Sequence, residues 1–117
     1  MKAAVLEREG SRIVEWVGAI DRVDDALDLV SACFENNSRR LLLDSSHLPA
    51  AFFDLRTRFA GEFLQKFENY QIRLAGLFAA DHAYGERFSE FLSEARRGRS
   101  FRAFFARADA EAWLASE

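Results

Sequence analysis

LLLDSSHLPAAFFDLRTRFAGEFLQKFENYQIRLAGLFAA, residues 41–80, decides the fold. It opens on Leu41-Leu42-Leu43, a continuous apolar run too short for a helix, as expected of a strand covered on both faces. It closes on a second such run, IRLAGLFAA, from Ile72 to Ala80. Between them, from about Asp54 to Tyr70, Leu55, Phe59, Phe63, Phe67 and Tyr70 form one apolar stripe at helical spacing, with Ala60 and Leu64 beside it. Asp54 is the expected N-cap of this longest helix. Gly61 inside it costs about 1 kcal/mol relative to alanine, and close approach of another backbone is the expected compensation. Strand, helix and strand in succession call for a right-handed crossover and a parallel pair.

The same alternation extends both ways. Upstream, Ala3 to Arg8 and a second run in which Ile13, Glu15 and Val17 alternate with Val14, Trp16 and Gly18 flank the turn Glu9-Gly10-Ser11, which predicts an antiparallel hairpin. Asp21 is placed to cap a helix whose buried stripe is Val23, Ala26, Leu27, Val30 and Phe34, with Asp24 and Asp25 at the positive end of its dipole. Glu35-Asn36-Asn37 ends it. Downstream, Phe88, Phe91, Leu92 and Ala95 mark a third helix closed by Gly98. Phe101 to Ala106 reads as the last strand, and Asp109 as the cap of a short final helix carrying Trp113 and Leu114. The predicted class is α/β: a mixed, mainly parallel five-stranded sheet with an N-terminal antiparallel hairpin and about four helices, formed by residues 1–117 as one domain.

Composition narrows the function. Twelve phenylalanines imply a Phe-rich interior, because large rings without polar handles belong in cores. A net charge of -3 argues against a general nucleic-acid binder. One cysteine, Cys33, excludes an internal disulfide and a cysteine-cluster zinc site. Cys33 lies near the apolar stripe of the first helix with no flanking cation to lower its pKa, so it reads as a packing residue. No signal-peptide layout and no membrane-length apolar run are visible, so the expected location is cytoplasmic. Gly-rich phosphate loops and a G-x-S-x-G elbow are missing from the sequence, and no cofactor is implied.

Two groups of residues stand out as candidate sites. Asp44, Ser45, Ser46 and His47 follow one strand, and Asp81 and His82 follow another. Open α/β sheets bind ligands at such strand ends, where the strand order reverses. If those strands are neighbours, the cluster suits a divalent cation or acid–base work, although Asp and Ser are equally ordinary loop and capping residues. The second group is Asp54, Arg56, Thr57 and Arg58. Cations at a helix N-terminus oppose the dipole, a local violation of the kind that marks functional positions. Those arginines suit a partner's carboxylates or a phosphate; the competing expectation is local pairing with Asp54 or Glu62. Arg96, Arg97, Arg99, Arg102 and Arg107 form a further basic cluster, part of which answers the negative end of the third helix. Phe101, Phe104 and Phe105 are expected in the core. Of Phe52 and Phe53, at least one is expected to pack back as a hydrophobic staple, the alternative being that one stays exposed as part of an interface, where a nearby aromatic such as Phe52 would be buried alongside the arginine pairing.

FFDLRTRFAGEFLQKFENYQIRLA, residues 52–75, resembles the core of a bacterial family catalogued as domain of unknown function 4180. So do DDALDLV at 24–30, RFSEFLSEARRGR at 87–99 and EAWL at 111–114. This resemblance implies no activity. More distantly, the order of elements is similar to that of the STAS domain of anti-sigma factor antagonists, which implies a STAS-like fold. The phosphorylated serine of those antagonists falls on Leu55, which has no hydroxyl, and Thr57 is the nearby one. The combined expectation is a non-enzymatic regulatory or protein-interaction domain binding another protein through Asp54, Arg56, Thr57 and Arg58, with neither nucleic acid nor membrane as partner. The alternative is a small-ligand or metal-binding enzyme using Asp44, Ser45, His47, Asp81 and His82.

Overall fold

A computed structural model describes residues 2–80 and 84–116. Five strands, β1 (Ala3–Arg8), β2 (Ser11–Trp16), β3 (Arg40–Asp44), β4 (Arg73–Leu77) and β5 (Phe101–Phe104), alternate after the first pair with helices α1 (Ala26–Glu35), α2 (Ala50–Phe53), α3 (Phe59–Asn69), α4 (Glu86–Ala95) and α5 (Arg107–Ala115). The strands lie side by side in chain order. β1 is antiparallel to β2, and every later pair is parallel. The hairpin turns on Glu9 and Gly10, both at positive φ (52° and 81°), the two-residue geometry that matches strand twist.

Because the order never reverses among these strands, successive crossovers of one hand put their helices on one face. Leu41 and Leu43 of β3 meet Leu29, Phe63 and Phe88 in the larger core on that face, while Leu42, between them, joins Ile13, Ala75 and Leu77 on the other. All three leucines are buried, which is why their run does not alternate with polar residues. The second face would be wet but for α5, which returns across the sheet and buries Ala110 and Leu114 there.

The phenylalanines concentrate in the larger core. Phe52 is 1% exposed and so is a core ring, not an aromatic offered to a partner, and has Phe59, Phe63, Phe78 and Phe88 around it at centroid distances of 5.9–6.4 Å. Gly76 makes room for two of these rings: a Cβ there would lie 2.8 Å from Phe78 and 3.0 Å from Phe101. Phe105 departs from its expected core position and is 38% exposed, because β5 ends at Phe104 and the chain turns out toward α5.

Several sequence-derived boundaries move. The expected helix from Asp54 to Tyr70 is broken. α2 ends at Phe53, a 3-10 turn occupies Leu55–Thr57, Arg58 takes a left-handed conformation (φ 66°, ψ 3°), and α3 starts at Phe59. Asp21 does not cap the first helix. Asp25, closing a 3-10 turn at Val23–Asp25, accepts instead from the backbone N–H groups of Asp21 and Arg22 at 2.8 and 2.9 Å, and these bonds lower its pKa. Asp109 sits in the first turn of α5, whose N-cap is Ala106 with no side-chain cap. Beyond its own helix backbone and chain neighbours, no atom of the described residues lies within 4 Å of where a Gly61 Cβ would stand, so no other segment among them approaches that glycine. α1 and α3 both close with a residue at positive φ, Asn37 and Gln71. The next amides, Ser38 and Ile72, return to the carbonyls of Cys33 and Phe67, satisfying the last turn.

Candidate functional site

Asp54 is half-exposed and ends α2. Its Oδ1 accepts from the Arg56 backbone N–H at 3.1 Å and from Arg56 Nε at 3.0 Å, and its Oδ2 accepts from Arg56 Nη2 at 3.1 Å. The Arg56 hydrogen bonds, then its charge, lower the Asp54 pKa, and the Asp54 hydrogen bond and charge raise that of Arg56. The expectation of local pairing with Asp54 is thus met by Arg56. Thr57 has its hydroxyl engaged: Oγ1 lies 2.7 Å from the Ala51 carbonyl and 2.8 Å from that of Asp54, and accepts from Phe59 N–H at 3.1 Å. That last bond satisfies a free donor at the start of α3. Arg58 differs from both. It is exposed, it stands in a backbone region that bulky residues rarely adopt, and among the described residues its guanidinium forms no ion pair.

The dipole argument changes accordingly. Arg56 lies on the separate 3-10 turn and Arg58 on the N-cap of α3, so neither occupies the first turn of a long helix. The break puts both arginines on a short, internally bonded corner. The sequence hid it because aspartate caps a 3-10 turn and an α-helix equally well.

The other candidate cluster lies at the strand ends. A cleft of 670 Å³ opens there, lined by Asp44, Ser45, Ser46, Phe53, Tyr84 and Arg107 among others. β3 and β4 are adjacent, as the cluster required. Asp44 accepts from the Ser46 backbone N–H at 2.9 Å, the capping role that its residue type allows. His47 is half-buried, outside the cleft lining, and its carbonyl accepts from Ile20 N–H at 2.9 Å. Asp81 and His82 lie outside the described residues. Among the described residues no group of three His, Cys, Asp or Glu is placed to hold a metal ion.

Two features went unread in the sequence. Phe53 and Tyr84 stack at 4.6 Å with an interplanar angle of 17° and together line both the strand-end cleft and a smaller one of 360 Å³ beside Arg56 and Arg87. The second is a convergence of Arg40, Arg73 and Arg102 on the α5 face. Arg40 and Arg73 are register partners at the starts of β3 and β4, and both donate to carbonyls at the end of α5, where the helix dipole is negative. Arg73 and Arg102 lie 4.5 and 5.0 Å from the Trp113 ring centroid. Desolvation, then the charges of Arg40 and Arg102, lower the Arg73 pKa. An arginine opening each of two parallel strands was the available signal.

The downstream basic cluster disperses. Arg107 is clamped by both carboxylate oxygens of Glu15 at 2.9 and 2.6 Å and by Glu111 at 2.7 Å, and Arg96 lies over the exposed Phe105 ring. Cys33 is fully buried, and desolvation pushes its pKa up to about 12.

Residues 9–114 match the family model described as Domain of unknown function (DUF4180). The chain belongs to that family. The match spans β2 through α5 up to Leu114 and contains both candidate sites, while β1 lies outside it. No curated protein and no solved structure matches the chain. Among the described residues no helix is long and apolar enough to cross a membrane.

Proposed function

We propose that the chain is a non-enzymatic regulatory or protein-interaction domain of STAS-like element order, and that the corner Asp54, Arg56, Thr57 and Arg58 meets an acidic partner. The observation that carries this reading is Arg58. A non-glycine residue at φ 66° costs about 1–2 kcal/mol, and strain of this kind persists where surrounding bonds over-determine it. The Thr57 bonds and the Asp54–Arg56 pair supply that restraint. They restrain the backbone from which the exposed Arg58 side chain projects, which reduces the backbone ordering cost of binding. Asp54 and Thr57 are positioning residues in this account, and the two guanidiniums are the contacts. Phosphorylating Thr57 would remove the hydroxyl hydrogen shared by the Ala51 and Asp54 carbonyls and so loosen the corner.

Affinity capture from a lysate of the source cells, read by mass spectrometry, tests the proposal. The wild type retains a protein that Arg56→Glu releases while remaining folded. Identical retention by both, or unfolding of Arg56→Glu, overturns the assignment of Arg56 to the interface.

A second reading, a small ligand in the strand-end cleft, is supported by the 670 Å³ volume beside Ser45 and Ser46. Under it, a thermal-shift panel of divalent cations and nucleotides gives a concentration-dependent rise in Tm. A flat panel removes that reading.

A further inference from the structure

β1 is an edge strand whose outer side no described element pairs. Its hydrogen-bonding phase follows from the pairing with β2. Val17 N–H donates to the Lys2 carbonyl at 2.7 Å, and partners in this register sum to 19. Lys2, Ala4, Leu6 and Arg8 therefore direct their backbone groups inward, and Ala3, Val5 and Glu7 direct theirs outward. Natural sheets blunt such an edge with proline, a bulge, a covering segment or charged side chains; β1 has no proline, its register is continuous from Ala3 to Arg8, and its charges stand at its ends, Lys2 before it and Glu7 and Arg8 at the hairpin, leaving Ala3 to Leu6 apolar.

The strand also borders a groove of 760 Å³ between β1 and α1. Ala3 packs toward the helix-face core and Leu6 toward the opposite one, so Val5, 43% exposed, points to the α1 side by strand alternation. The α1 wall of the groove carries Asp28 and Glu35, seven residues apart and so on one helix face. Neither makes an ion pair among the described residues. The cation that lines the same groove, Lys2, is close enough to Asp25 to lower that carboxyl's pKa.

We infer that β1 and the acidic wall of α1 form a strand-addition site for an extended basic segment of another protein. Such a segment hydrogen-bonds to the outward groups of Ala3 and Val5, as peptides do when they extend a sheet edge. Alternate lysine or arginine stems lie over Val5 and carry their charges to Asp28 and Glu35. A second copy of this chain fits less well: the antiparallel register centred on Val5, which pairs the whole strand, sets Lys2 opposite Arg8. This inference does not rest on the Asp54–Arg58 corner, and its variants leave that corner untouched.

The test is fluorescence anisotropy with a labelled alternating Lys-Val decapeptide, set beside its Glu-Val counterpart, together with amide hydrogen exchange of the full chain. The Lys-Val peptide is expected to bind with salt-sensitive affinity and to protect the Ala3, Val5 and Glu7 amides. The Glu-Val peptide is expected not to bind. Val5→Pro removes one outward N–H at an edge position that tolerates proline and should weaken binding about tenfold, the size of one such hydrogen bond. The double variant Asp28→Lys, Glu35→Lys, on an exposed helix face, should weaken it comparably. Equal binding of the two peptides, unchanged affinity in the double variant, or no added protection at Ala3 and Val5 overturns the inference, whether or not Val5→Pro folds. A β1-mediated dimer in light scattering also overturns it.

Discussion

At the scale of single residues, the same side chains that attract functional attention are often consumed by the backbone. Thr57 and Asp44 are hydroxyl and carboxylate groups in loops, and both satisfy nearby amides. Cys33 is the extreme case. Burial raises its pKa to about 12, so the folded protein keeps the proton after an unfolded thiol, with pKa about 8.5, has lost it. The Cys33 contribution to stability is therefore fully present below pH ~8.5 and is lost as pH rises toward 12. A thiol reagent such as Ellman's should leave the native protein unmodified at neutral pH and react at once in denaturant; rapid native labelling would contradict the burial. Gly61 gives the opposite lesson. The open space around it means that Gly61→Ala should stabilise the protein by about 1 kcal/mol in urea unfolding. Destabilisation would point to a close neighbour that the structure lacks.

At the scale of elements, legibility followed the period of the apolar pattern. Leu41-Leu42-Leu43 announced a strand covered on both faces, and the stripe of Phe59, Phe63 and Phe67 announced α3, since both patterns are set by burial. The break at Asp54–Arg58 was illegible because Leu55 continues the helical stripe through it and nothing in arginine's identity advertises a left-handed conformation. The same break takes Arg56 and Arg58 out of the first turn of a long helix and puts them on a short, internally bonded corner. Asp21 failed as a cap for a related reason, because three aspartates compete within five residues and only the geometry selects Asp25. α5 was legible as a helix, and its task was not. Leu114 is fully buried against the second sheet face, so Leu114→Ala should cost about 2–5 kcal/mol. A loss below about 1 kcal/mol, on the scale of a surface change, would mean that α5 is dispensable there.

At the scale of the whole molecule, the sheet order carries the functional argument. Strands laid down in chain order give one helix-covered face, one face closed by α5 and, among the described residues, two unpaired edges, with no order reversal among the strands to open a dinucleotide-type crevice. Charged surface groups set the response of the fold to acid. Asp25, Asp54 and Glu111 are held below the ordinary carboxylate range, chiefly by the Arg22 amide, by Arg56 and by Arg8 respectively. Lowered folded-state values mean that the unfolded chain takes up protons first, so stability is present above that range and falls as pH drops through it, from roughly pH 5 toward pH 3. Urea midpoints over that interval should fall, and Asp25→Asn should flatten the slope. A flat wild-type profile would contradict these assignments.

The most direct measurement for the central claim sets Arg58→Gly beside the wild type in affinity capture, with Tm recorded for both. Glycine adopts φ 66° without strain, so its backbone effect favours the folded corner while the exposed charge is lost. The account predicts an unchanged or raised Tm together with loss of the captured partner. A partner held equally well by Arg58→Gly would contradict it, and the corner would then be only a way of starting α3.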